Sequence, residues 1–176
     1  MSRDNRGMPF LIIDKTNAAV FVFDAAGHLQ AAAPALLGLT RGDREAKGVS
    51  DERVLAIRPQ QRITPAGRFV ASLGYEPDGR GLLWVDYKDA IALHPVVKGT
   101  PQEHRAERLA SLTSADNRIS YGCINVPLQF YASFVRPAFT HTSGIVYILP
   151  ETRSGHRSFW SDKVEHRATF PFRPQP

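Results

Sequence analysis

Short apolar runs, each cut off by a turn signal before it reaches helical length, constrain this chain more than any other feature. PFLIID (9–14) is followed by the turn KTN (15–17), and AAVFVFD (18–24) by AAG (25–27) and HLQAAAPALLG (28–38). The first two runs are rich in β-branched and aromatic side chains, which suit a pleated, half-buried surface. A hairpin or meander follows. In ITPAGRFVASLGY (63–75), Pro65 and Gly67 make a turn ahead of a strand. The turn EPDGRG (76–81) separates that strand from LLWVDY (82–87), giving a hairpin. KDAIALHPVV (88–97) predicts a strand that ends near His94, because Pro95 has no N–H for a ladder. GIVYILP (144–150) reads as a last buried strand.

Helical patterns are few. PQEHRAERLASL (101–112) has proline at a first helical position and good helix formers after it. PLQFYASFVRPAF (127–139) predicts a second helix, entered at Pro127 and broken by Pro137. Residues 39–62 are highly charged with two glycines, and suit a surface loop with a short helical turn. About nine strands against two helices place the chain in the mainly β class, as a single β-sandwich-like domain with helical decorations. The division is an N-terminal tail (1–8), the domain (9–150) and a basic, proline-rich C-terminal tail (151–176), extended or partly packed.

At 176 residues and 43% hydrophobic, one domain can bury a real core without staples. The net charge of +5 and pI of 9.7 favour polyanionic surroundings: nucleic acid, anionic lipid or cell wall. The basic residues are scattered, and no Lys/Arg cluster interleaved with aromatics marks a nucleic-acid surface. No apolar run approaches the ~20 residues of a membrane span. The opening MSRDNRG lacks the apolar core of a signal peptide, which implies a cytosolic chain or a leader already removed. A single cysteine, Cys123, excludes an internal disulfide framework and a multi-thiolate metal site within one chain.

That cysteine lies in RISYGCINV (118–126). Gly122 allows a tight turn that exposes the thiol, and the helix starting after Pro127 would bring a positive dipole end close behind. A nucleophilic thiol needs a base or cation and a donor for the developing oxyanion. A lone cysteine among Ile119, Ile124 and Val126 is equally the pattern of a small buried hydrophobe. Of six histidines, His28 sits in a turn, His156 and His166 in the tail, His141 in a loop and His104 on a charged helix. His94 differs by ending an apolar strand, where rigid elements present groups to a loop-built site.

Together these residues resemble the L,D-transpeptidase catalytic domain, or YkuD family. The family pattern is a strand-end histidine followed by Ser/Thr-His-Gly-Cys-x-Asn or -Arg. It maps onto His94 and onto Ser120, Tyr121, Gly122, Cys123, Ile124 and Asn125. FLIIDKTNAAVFVFDAAGHLQ resembles the family's opening hairpin, and ITPAGRF its Thr-Pro-x-Gly-x-Phe turn, so the resemblance covers residues 9 to 150. There are two departures. Tyr121 stands in place of the second histidine. The interval 123 − 94 = 29 exceeds the usual family spacing, the extra length being the helix PQEHRAERLASL. By count alone His104, at 123 − 104 = 19, fits better, but its charged-helix context does not.

The resemblance implies a cysteine-dependent L,D-transpeptidase acting on peptidoglycan tetrapeptide stems through a thioester. Cys123 would be the nucleophile and His94 the proton carrier, with the Pro95 carbonyl orienting the ring. The Cys123 and Gly122 N–H groups would form the oxyanion hole. Ser120 and Asn125 would fix the loop, Tyr121 would face substrate, and Arg118 would attract a substrate carboxylate. The alternatives are an L,D-carboxypeptidase or cross-link hydrolase on the same fold, and a non-catalytic cell-wall-binding module. The implied partners are stem peptides and carbapenem-type inhibitors, with no nucleic acid, no membrane span, no metal and no cofactor. The implied state is a monomer in the periplasm or cell envelope.

Overall fold

A computed structural model describes residues 4–44, 57–76 and 78–152 of the protein. β1 (Phe10–Asp14) and β2 (Ala19–Phe23) form the opening hairpin, with Leu11, Ile13, Val20 and Val22 all turned into the core. Although the runs are apolar on both faces, strand geometry buries every second residue fully and leaves the others half-buried. The 28–38 run makes two strands rather than one: β3 (Leu29–Pro34) pairs with β2, and the chain then leaves to form β4 (Leu37–Gly38). Pro34, which has no N–H, is the last residue of β3.

β5 (Gly67–Tyr75), β6 (Gly81–Asp86) and β7 (Ile91–Pro95) form the predicted antiparallel run. The cysteine motif, for which the sequence predicts a tight turn at Gly122, adds a short strand on each side of that turn, β8 (Arg118–Ser120) and β9 (Ile124–Val126). β10 (Gly144–Ile148) runs through the middle of the sheet, parallel to β1 and antiparallel to β5. The main sheet has the order β3-β2-β1-β10-β5-β6-β7-β9, and β4 pairs with β8 in a two-stranded sheet.

The sheet curls until its edges meet. Just beyond edge strand β3, Leu36 exchanges both backbone hydrogen bonds with Asn125 of the other edge strand, β9, at 2.8 and 2.9 Å. Inside the curl lie Leu11, Val20, Phe69, Leu83, Leu93, Ile124, Val126 and Val146, all buried. Each such side chain is worth about 1.5–3 kcal/mol of transfer free energy.

Two helical stretches decorate the sheet. The segment after β7 contains a 3₁₀ turn, Pro101–Glu103, and only a short α1 (Arg105–Ala110). The second stretch starts with α2 (Leu128–Phe130), passes through a π-helical turn at Tyr131–Val135 and ends in α3 (Arg136–Phe139). Pro137 therefore does not break the helix where the sequence predicts. It sits in the first turn of α3, where the missing N–H costs least, and the π turn before it resets the hydrogen-bond register. Phe130, Tyr131, Val135 and Phe139 face the core. Pro59–Gln61 supplies the short helical turn expected in 39–62. Residues 45–56, and 153–176 of the C-terminal tail, lie outside the described residues. Among the described residues no helix is long and apolar enough to cross a membrane.

Candidate functional site

The parallel pairing of β7 with β9 builds the site. Its register sets Leu93 opposite Ile124, His94 opposite Asn125 and Pro95 opposite Val126. Cys123 and Ala92 come next toward the N-terminal end of the two strands. The Cys123 sulfur lies against the β7 backbone, where the thiol donates to the Ala90 carbonyl at 3.6 Å and the Ala92 N–H points at the sulfur. Ala92 and His94 are two residues apart on one strand, about 6.6 Å.

His94 is half-buried and directed by its neighbours. Its Nδ1 is 2.8 Å from the Pro95 carbonyl, which can only accept, so Nδ1 carries the proton. Nε2 then holds the lone pair, and the Asn125 amide nitrogen donates to it at 3.3 Å. Burial pushes the imidazole pKa down. The Pro95 bond and Glu76 oppose that shift, whereas Arg80 and Arg105 add to it. Burial likewise pushes the Cys123 thiol up, against the Ala92 N–H and with Glu76. Both directions favour the uncharged forms, thiol and imidazole.

The turn between β8 and β9 is fixed by Ser120. Its hydroxyl donates to the Cys123 carbonyl at 2.6 Å and accepts from the Gly122 N–H at 3.1 Å. Gly122 has φ +135°, and a Cβ there would meet the Ile63 carbonyl oxygen and the Ile91 side chain at 3.0 Å. Glycine is required by both backbone angle and space. Because its N–H is engaged by Ser120, Gly122 is not a free oxyanion donor. The Cys123 N–H makes no hydrogen bond among the described residues.

The sequence motifs converge behind this turn. Thr64, from the ITPAGRF segment, donates its hydroxyl to the Gly122 carbonyl at 2.8 Å and accepts from the Gly38 N–H at 2.9 Å. Its own carbonyl accepts from the Lys15 ammonium at 3.0 Å, and Lys15 belongs to the opening hairpin's turn. Lys15, whose side chain is 0% exposed, also pairs with Asp43 at 2.9 Å. Residues of three distant segments thus brace one turn.

Arg118 belongs to this brace, and its expected role toward a substrate carboxylate is corrected. Its buried guanidinium is bidentate to Glu151, at 2.6 and 3.2 Å, and donates to the Lys15 carbonyl at 2.6 Å. A guanidinium already desolvated and paired has no free fork for a second carboxylate. Tyr121 is partly exposed and lies under the Arg62 guanidinium, 3.8 Å from the ring centroid. His104 is largely exposed, has a left-handed backbone and faces Glu107 at 4.0 Å. It lines an open depression with Glu107, Arg108, Ser111 and Asp116 that contains neither Cys123 nor His94.

Sequence reasoning missed Arg105, which donates to the Asn125 side-chain oxygen at 2.9 Å. In the sequence it is one more charge on a charged helix, and no local pattern separates it from its neighbours. Lys15, Asp43 and Glu151 were missed as well. The Thr-Pro-x-Gly-x-Phe resemblance flagged Thr64's segment without its contact.

No protein-family model and no curated protein sequence matches the chain. Solved structures do. The helical cell shape determining protein Pgp2 from Campylobacter jejuni is 13% identical with TM-score 0.50, over 83% of this chain and 49% of that one. LD transpeptidase LdtMt1 in complex with imipenem is 15% identical with TM-score 0.46, over 80% and 58%. An L,D-transpeptidase from Mycobacterium smegmatis is 13% identical with TM-score 0.44, over 80% and 58%. The chain thus spans between about half and three fifths of the length of these three structures. The architecture, mainly β with a mixed sheet and two helical stretches, is consistent with the L,D-transpeptidase fold.

Proposed function

We propose that the protein is a cysteine acyltransferase of the L,D-transpeptidase kind, acting on peptidoglycan stem peptides in the cell envelope. The observation that carries this reading is the β7–β9 register. In that register the Cys123 sulfur lies against Ala92, two residues along β7 from His94, whose Nδ1 is tied to Pro95 and whose Nε2 bears a lone pair. In the reaction the Cys123 sulfur bonds to the carbonyl carbon of the third stem residue as His94 Nε2 takes the thiol proton. The Asn125 amide must yield the lone pair at that moment, because Nε2 has only one. The tetrahedral oxyanion faces the Cys123 N–H, and a single such donor is worth about 3–4 kcal/mol in related acyl transfers. As the intermediate collapses, the bond to the terminal D-alanine nitrogen breaks and His94 returns the proton to that amine. A second amine then attacks the thioester, loses its proton to His94 and releases the thiol.

A hydrolytic variant, with water as the acceptor, is favoured by one feature. Tyr121 is covered by Arg62 where the family pattern has histidine, which changes the wall beside the thiol. The closing experiment covers both readings. Intact-protein mass spectrometry after exposure to a stem tetrapeptide should show an adduct of the peptide less D-alanine. Exposure to a carbapenem, the inhibitor class of the LdtMt1 complex, should give a second adduct. Cys123→Ala should show neither. Full turnover by that variant would overturn the reading, and products formed with and without an added amine decide between transfer and hydrolysis.

A further inference from the structure

The chain of contacts that ends on His94 begins outside the cysteine motif, in the segment inserted after β7. Glu103 binds Arg105 through both carboxylate oxygens, at 2.9 Å to Nε and 3.4 Å to a terminal nitrogen. The other terminal nitrogen reaches the Asn125 side-chain oxygen at 2.9 Å. A guanidinium can only donate, so Asn125 must turn its oxygen to Arg105 and its NH₂ to His94. An NH₂ group can only donate to Nε2, so the ring must keep its lone pair there and its proton on Nδ1, facing Pro95. Every bond in the series Glu103, Arg105, Asn125, His94, Pro95 has one permitted direction, fixed at one end by the Pro95 carbonyl and at the other by Arg105.

The segment is shaped for this contact. Gly99 has φ +61°, and a Cβ on it would lie 2.0 Å from a Glu103 carboxylate oxygen and 2.7 Å from Arg105 Nε. His104, between the two charged residues, has φ +46°, a left-handed conformation that non-glycine residues seldom adopt. The Arg105 side chain is only 10% exposed, and Asn125 is held on its backbone by the two hydrogen bonds to Leu36.

We propose that Arg105 is a positioning residue that acts through Asn125 to hold His94 as the Nδ1–H tautomer, with its Nε2 lone pair ready to take a proton. The idea rests on the proposed reading of His94 as the proton carrier. The charged and titratable groups facing the ring are Glu76 and Arg80 from the β5–β6 turn, Arg105 at the start of α1, and Cys123. Arg80 is paired with Glu76 and Asp78, and Arg105 with Glu103, so opposing charges largely cancel. Besides burial, hydrogen-bond direction is then what governs the ring.

The test is a ¹⁵N-detected titration of the His94 side chain in the full chain, which needs no turnover. In the wild type Nδ1 should be the protonated nitrogen at neutral pH, and the ring should titrate below the usual histidine midpoint. Arg105→Ala frees Asn125 to flip and accept from an Nε2–H. The midpoint should rise by about one pH unit, and the Nε2–H tautomer should appear. Arg105→Lys, which keeps a donor and a charge, should recover part of the wild-type behaviour. An Arg105→Ala protein that folds with unchanged tautomer and midpoint overturns the proposal. Should that variant not fold, Glu103→Gln, which loosens the guanidinium but leaves it in place, must raise the midpoint in the same direction, and no change there overturns it. A chain that shows the tautomer shift but never forms the thioester keeps this inference and loses the proposed activity. The reverse result keeps the activity and loses the role of Arg105.

Discussion

Two arginines, thirteen positions apart, show how differently this molecule uses the same side chain. Arg118 sits in a closed network with Lys15, Asp43 and Glu151, where its carboxylate partner is equally buried. Arg105 has one carboxylate behind it and one neutral amide in front, and that amide leads to a neutral imidazole. In the first region charges face charges and the chain is clamped. In the second, a charge is converted through an amide into a preference for one tautomer. The first region resists change, and in the second burial favours the uncharged forms of both His94 and Cys123. Charge composition is thus a poor guide to where chemistry can occur, and the direction of hydrogen bonds is a better one.

The comparison breaks most visibly at the clamp. Glu151→Ala leaves Arg118 and Lys15 buried with too little countercharge, and should cost about 3–5 kcal/mol in urea unfolding. An exposed, weakly coupled network would show almost no loss. Acid should produce a gentler version of the same failure. Burial pushes the Asp43 carboxyl up, but hydrogen bonds from Thr152, the Glu151 N–H and Lys15 outweigh it and hold the group well below the usual carboxylate range. A depressed acid contributes stability that is complete above pH about 4 and disappears as pH falls toward the folded-state value. In Asp43→Asn that part of the acid dependence should be gone, as a urea series at several pH values would show.

Thr64→Val probes the residue that joins the clamp to the cysteine turn, since Thr64 binds Lys15 through its carbonyl and the turn through its hydroxyl. It leaves the Gly38 N–H and the Gly122 carbonyl without this partner, at a cost of about 1–3 kcal/mol. The alkylation rate of Cys123 should rise as the turn loosens. The smallest effect belongs to His104→Ala. That ring is exposed, so stability should stay within about 0.5 kcal/mol and the pH profile of Cys123 alkylation should not move. A displaced profile would transfer the base from His94 to His104.

The β content was legible because short runs rich in β-branched and aromatic residues end at turn residues, as in FLIID and AVFVF. The strands within the cysteine motif were not, because three-residue strands such as RIS and INV carry no periodicity to detect. Pro137 misled because a π turn, invisible in sequence, absorbs the proline. At the site, His94, Ser120, Gly122 and Asn125 could be picked out by type and order. Their partners could not: Arg105 reads as helix surface, and Arg118 reads as a cation beside a thiol. Local sequence reports which groups a segment offers, whereas burial and the other half of each hydrogen bond come from segments far away in the chain.

The paired bonds between Leu36 and Asn125 have one more consequence. An outermost strand carrying unpaired backbone groups is an open invitation for another molecule to add itself to the sheet. Here the strand that bears Asn125 is bound on one side by β7 and stitched at its centre to the residue just past the opposite rim. The seam that orients the histidine's neighbour also keeps the cysteine's end of the sheet from serving as a template for fibrous growth.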